Sequence, residues 1–182
     1  MRQLELRLGR FSEPEPEPYQ PMTFKGPSIA PPVDGRQSET AIKIARGTAR
    51  LLHAHGYCVV SELPLASGRR ADLVALGTGG DIWIVEIKSS VADFRADQKW
   101  TDYRLHCDRL FFATTVEVPG EIFPKDAGLI VADAYGAQIV GEAPEYRLHA
   151  ATRRSMMLTI ARAASQRLQS LIDPSGPYGV EF

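Results

Sequence analysis

Cysteine is scarce: the 182-residue chain holds two, Cys58 and Cys107. Thiols so far apart form neither a disulfide framework nor a zinc-binding spacing. Free cysteine is among the residue types most often buried, so both are read as reduced core residues. Long hydrophobic runs are missing too. No apolar stretch comes near the ~20 residues a membrane-spanning helix requires, and no membrane partner is expected. The opening MRQLELRLGRF lacks the basic start and apolar run of a secretory signal, which makes a cytoplasmic location the expectation. Charge of one sign is also absent. With 21 Lys and Arg against 22 Asp and Glu, the net charge of −1 provides no global field for coating nucleic acid. A local surplus exists at residues 147–182, where Arg147, Arg153, Arg154, Arg162 and Arg167 face only Asp173 and Glu181. Such a stretch reads as a solvated helix face that could also follow a phosphate backbone.

The chain does have the composition of a globular domain, 44% hydrophobic and 24% charged. Residues 1–37, with EPEPEP and GPSIAPP, offer too little apolar surface to offset the entropy of ordering and are expected to be a Pro/Glu-rich disordered tail. Residues 38–182 are expected to be one domain. Ile42, Ala45, Ala49 and Leu52 recur at helical spacing behind an N-cap at Ser38 and ahead of an exit at Gly56. YCVVSELPL, ADLVAL and DIWIVEIKSS then read as three short strands joined by SGRR and GTGG turns. A helix over 93–107 carries Ala96, Trp100, Tyr103 and Cys107 on one core stripe. RLFFATTV reads as a buried strand, and GLIVAD with AQIVG as a hairpin. A last helix over 152–171 has Met156, Ile160, Ala163, Ala164, Leu168 and Leu171 for its buried side. This order indicates an α/β (α+β) domain, a central mixed sheet flanked by helices.

Three charged residues interrupt the predicted core. Glu86 and Lys88 lie at i and i+2 of a strand, on one face with Ile82 and Ile84, at the end of an otherwise apolar run. Burying them is costly unless they meet a partner or a metal. Asp72 begins the preceding strand, and the short GTGG turn makes the two strands antiparallel neighbours, so hairpin geometry alone brings Asp72 near Glu86 and Lys88. Two converging carboxylates suit a hard divalent cation, and an adjacent ammonium suits an attacking water and a phosphate gaining charge. Ordinary salt bridging of the three is the competing account.

Asp72, thirteen intervening residues and then Glu86-Ile87-Lys88 resemble the PD-(D/E)XK nuclease motif of restriction-endonuclease-like folds. The proline often found before the first acidic residue is absent from RRADL. The resemblance implies that fold, with Asp72, Glu86 and the Ile87 carbonyl as ligands of Mg²⁺ or Mn²⁺ and Lys88 as the catalytic lysine. Members of that family carry a Gln, often beside a Lys, on the following helix, a match to Gln98 and Lys99. Many also have a Glu on the first helix, for which Glu39 is a candidate and Glu62, in the first strand, a rival. More narrowly, SGRRADLVAL, IVEIKSSVADFRADQKW, YRLHCDRLFFA and GLIVADAYGAQIV resemble the MmcB group of bacterial DNA repair proteins, over roughly residues 38–172.

Arg69 and Arg70, on the turn into Asp72, are candidates for gripping phosphates beside the scissile bond or an ordinary charged turn. His53 and His55 stand on different helix faces and show no ligand spacing. GTGG joins two strands instead of opening a helix, which rejects a phosphate-cradling loop. The expected function is a metal-dependent DNA endonuclease acting in repair. The alternative is a nuclease-fold protein that binds DNA or scaffolds repair without cutting. DNA is the expected partner in both cases; other repair proteins and, by analogy with the fold, a homodimer are open.

Overall fold

The computed structural model describes residues 38–97 and 99–176; the tail 1–37, Gln98 and residues 177–182 lie outside the described residues. Helix α1 (Glu39–Ala54) starts where expected, the Ser38 side chain accepting the Ala41 N–H at 3.1 Å, and it ends before Gly56 at φ 83°. Three strands follow, β1 (Cys58–Pro64), β2 (Arg70–Leu76) and β3 (Ile82–Ile87), then helix α2 (Val91–Ala96) and a 3₁₀ segment at Trp100–His106. Strand β4 (Arg109–Thr114), the hairpin β5 (Gly128–Ala132) and β6 (Ala137–Gly141), and helix α3 (Ala150–Ile172) complete the order.

All six strands form one sheet in sequence order. β1, β2 and β3 are an antiparallel meander, β3, β4 and β5 run parallel, and β6 returns antiparallel. The sheet is therefore mixed and flanked by helices, as the alternation of strand and helix patterns predicts. One face packs Leu73, Ala75, Val85, Phe111 and Ile130 against Ile44 and Leu52 of α1. The other packs Val60, Leu63, Val74, Ile82 and Ile84 beneath Tyr103 and the Met156, Ile160 and Ala163 stripe of α3. The centre of the sheet, covered on both faces, is apolar in consecutive positions, which is why β3 and β4 do not alternate. Gly47 lets α1 close on the β5–β6 turn: a Cβ there would lie 2.2 Å from the Asp133 carbonyl oxygen.

Four expectations fail locally. Helix 93–107 is broken, because the chain leaves α2 at Asp97 (φ −94°, ψ 89°) and resumes only as 3₁₀ turns, which leaves Ala96 exposed instead of on the core stripe. Ile42 is exposed and Ile44 buried instead, a rotation of the α1 stripe toward Gly47. Leu168 and Leu171 are 56% and 80% exposed and Ala164 is exposed, so beyond Ala163 the apolar stripe of α3 no longer packs into the core. Cys58, first residue of the edge strand β1, faces solvent; Cys107 is buried.

Candidate functional site

The β2–β3 register pairs Leu73 with Val85, which brings the preceding Asp72 level with the following Glu86. Each carboxylate is held by the other residue's strand: the Asp72 N–H donates to Glu86 Oε1 at 3.3 Å, and the Ile87 N–H donates to Asp72 Oδ2 at 2.7 Å. Glu86 is 3% exposed. Burial pushes Asp72 up to about 6, reinforced by the charge of Glu62. Glu86 is held well above the usual carboxylate range by burial and by the Asp72 charge. Two anions thus share a space that favours neither of them.

Lys88 follows on the same face and is 5% exposed. Its Nζ donates to Asp97 Oδ2 at 2.7 Å. Burial works to lower its pKa, but the Asp97 hydrogen bond and the charges of Glu86, Asp97 and Asp72 outweigh it, so Lys88 remains an ammonium. Its backbone is equally fixed, the N–H donating to the Ala113 carbonyl and the carbonyl accepting the Thr114 hydroxyl at 2.7 Å. Tyr103, from the 3₁₀ segment, roofs the carboxylates: its hydroxyl donates to the Arg70 carbonyl at 3.2 Å, and burial and the charges of Glu86 and Asp72 raise its pKa.

Glu62 lies on β1, between the Ser61–Leu73 and Leu63–Ala71 pairs, next to Asp72 across the sheet. It is 7% exposed, pairs with Arg70 and is the one described non-glycine residue with positive φ, 49°. Arg167 of α3 clamps this distorted stretch by donating to the carbonyls of Ser61 at 2.5 Å and Glu62 at 3.0 Å. Arg69 pairs with Asp102 at 3.1 Å. Both arginines of the turn therefore have carboxylate partners within the fold. Lys99 is exposed, its N–H donating to Asp97 Oδ1 at 3.1 Å. Glu39 pairs with Lys43 at 2.7 Å on the exposed start of α1, so of the two rival glutamates it is Glu62 that stands by the carboxylates. Gln98 lies outside the described residues.

Comparison with known proteins gives this site a context. The family model for DNA repair protein MmcB-like matches residues 29–175. The chain belongs to the MmcB-like family. Among solved structures, the SPO1766 protein of unknown function from Silicibacter pomeroyi is 45% identical, with a TM-score of 0.75 over 80% of this chain and 99% of that one. No curated protein matches.

In this MmcB-like chain the donor chemistry fits a hard divalent cation. Asp72, Glu86 and the Ile87 carbonyl are oxygen donors, and the raised carboxylates mark a place where positive charge is favoured. Among the described residues, no group of three or more His, Cys, Asp and Glu side chains is arranged to hold a metal ion, so the set would be a carboxylate pair completed by backbone and water. No described helix is long and apolar enough to cross a membrane. Sequence pattern did not point to Asp97 or to the roof made by Tyr103. Nothing local marks Asp97 out; its meaning arises from Lys88, nine residues earlier. The arginine surplus at 147–182 also acquires structural roles, since Arg153 and Arg167 tether α3 to the sheet region.

Proposed function

We propose that this MmcB-like protein is a metal-dependent DNA endonuclease acting in repair in the cytoplasm, with a PD-(D/E)XK-type site. One observation carries the reading: two carboxylates, half-buried Asp72 and buried Glu86, are locked face to face by each other's strands with a buried ammonium two residues on. Asp72, Glu86 and the Ile87 carbonyl would hold Mg²⁺ or Mn²⁺, which supplies charge stabilisation and a more acidic water. The Lys88 ammonium offsets charge gathering on the phosphate oxygens, an electrostatic role suited to a group that stays protonated. Tyr103 covers the carboxylates and limits water around them. Arg69 and Arg70 stand on the turn entering Asp72, where exchanging Asp102 and Glu62 for phosphate oxygens would bring DNA to the site.

The test is cleavage of supercoiled, single-stranded and branched DNA by wild type and Lys88→Ala in Mg²⁺, Mn²⁺ or EDTA, with binding recorded in the same samples. Metal-dependent cutting by wild type, lost in the variant, is expected; cutting that survives Lys88→Ala rejects the mechanism. The near-complete closure of Glu86 favours one rival, a repair protein that binds DNA or scaffolds other repair proteins without cutting. That rival requires DNA binding unchanged by Asp72→Ala and by EDTA.

A further inference from the structure

Asp97 stands where the helical pattern of residues 93–107 breaks. Its own N–H caps α2 on the Phe94 carbonyl at 3.2 Å, and its carboxylate turns inward to Lys88. We propose that Asp97 is the positioning residue of Lys88, holding the ammonium apart from Asp72 and Glu86 so that it faces the phosphate instead of occupying the cation's place. For its catalytic consequence the proposal rests on the nuclease reading.

A lysine reaches its target on a flexible four-carbon stem, and a buried ammonium without a fixed partner folds onto whichever anion is nearest. For Lys88 those anions are Glu86 and Asp72, the very groups that would hold a cation. Asp97 offers a competing anion from outside the strand pair. Its carboxylate is itself firmly fixed, with one oxygen taking Lys88 at 2.7 Å while the other accepts the Lys99 N–H at 3.1 Å. The chain beyond it is fastened to the start of β2, through Arg69 to Asp102 and through the Tyr103 hydroxyl to the Arg70 carbonyl. The distance from Asp97 to Asp72 is thereby set by the same residues that set the site. A partner anchored this way improves geometry as outer-shell groups do for ligands in metal centres.

Two measurements on the full chain separate this proposal from the nuclease reading. In the first, lysines are acylated under native conditions and followed by mass spectrometry in wild type, Asp97→Ala and Asp97→Glu. Lys88 should be protected in wild type, label several-fold faster in Asp97→Ala and regain protection in Asp97→Glu, while Lys43 and Lys125 do not change. Unaltered protection in Asp97→Ala overturns the proposal, whether or not the protein cuts DNA. In the second, made on the DNA that wild type cleaves, Asp97→Ala should lower kcat by about 10²-fold, the scale of losing one preorganised electrostatic group, with KM within about threefold. Asp97→Glu should recover part of kcat. Equal or faster turnover in Asp97→Ala also overturns the proposal, and the isosteric Asp97→Asn provides the same comparison should the alanine variant fail to fold.

Discussion

The two ends of strand β3 each bury a carboxylate to 3% exposure, and the two behave oppositely. At the first end, Asp108 accepts the N–H groups of Ile82 at 2.8 Å and Leu148 at 2.9 Å and a two-pronged pair from Arg153, both at 2.7 Å. Burial works against this anion, yet the Arg153 hydrogen bond and the two backbone donors outweigh it and hold its pKa below the ordinary value. At the second end, Glu86 faces Asp72, and both are pushed up. Asp108 is a charge the fold itself has completed. Among the described residues, Asp72 and Glu86 have backbone donors but no hydrogen bond from an arginine, and the nearby ammonium is turned to Asp97. Equal burial therefore does not mean equal purpose: one end closes the structure, and the other keeps a surplus of negative charge that a cation would relieve.

Removing a carboxylate from each end should give stability changes of opposite sign. Asp108→Ala leaves Arg153 without its carboxylate and two backbone N–H groups without acceptors, so urea unfolding should show a loss of about 3–5 kcal/mol, as for other broken buried pairs. A loss below about 1 kcal/mol would remove Asp108 from the framework. Asp72→Asn abolishes mutual repulsion at the other end, and metal-free stability at pH 8 should rise by about 1–3 kcal/mol. The same variant should lose DNA cleavage and any increase in Tm on adding Mg²⁺. Destabilisation of metal-free Asp72→Asn would mean that its charge serves the fold, and the contrast between the ends would collapse.

The pH dependence of stability should split in the same way. Asp72 rises from an ordinary value of 3.8 to about 6 on folding, so the folded chain binds more protons in that window. Metal-free stability contributed by this end therefore falls as pH rises from about 4 to about 6, and Asp72→Asn should flatten the fall. Asp108, lowered on folding, contributes stability that is complete above its ordinary value and lost as pH drops below it. Unfolding free energies of the two variants from about pH 3 to about pH 8 check both halves. Saturating Mg²⁺ should suppress the Asp72-dependent slope and leave the Asp108-dependent one unchanged.

The open end was legible in the sequence and the closed end was not, for a physical reason. Asp72 and Glu86 are joined by a short turn, so strand period and hairpin pairing suffice to bring them together. Arg153 meets Asp108 across 45 positions, through the packing of α3, and no local pattern encodes that meeting. Asp97 was hidden by periodicity itself: Trp100, Tyr103 and Cys107 do face the core, but from 3₁₀ turns and the residue after them, while Ala96 at the end of α2 is exposed, so the stripe survives only beyond the break. Leu168 and Leu171 mislead in the converse way, because apolar spacing shows which residues share a side of α3 and not whether anything lies opposite.

Smaller effects probe what surrounds the open end. Arg167→Ala removes the clamp on the carbonyls of Ser61 and Glu62 and should cost about 1.5–3 kcal/mol, the range for hydrogen bonds made by a charged group. Because Glu62 stands in a left-handed conformation beside Asp72, the same change should also lower cleavage, whereas a tether serving only stability would leave turnover per folded molecule unchanged. Glu39 is the control. Its carboxylate meets Lys43 on an exposed helix turn, so Glu39→Gln should leave both the unfolding midpoint and cleavage as in wild type. If Glu39→Gln abolishes cutting while Glu62→Gln spares it, the acidic neighbour of the pair comes from α1 on substrate binding, and the boundary of the open end has to be redrawn to include that helix.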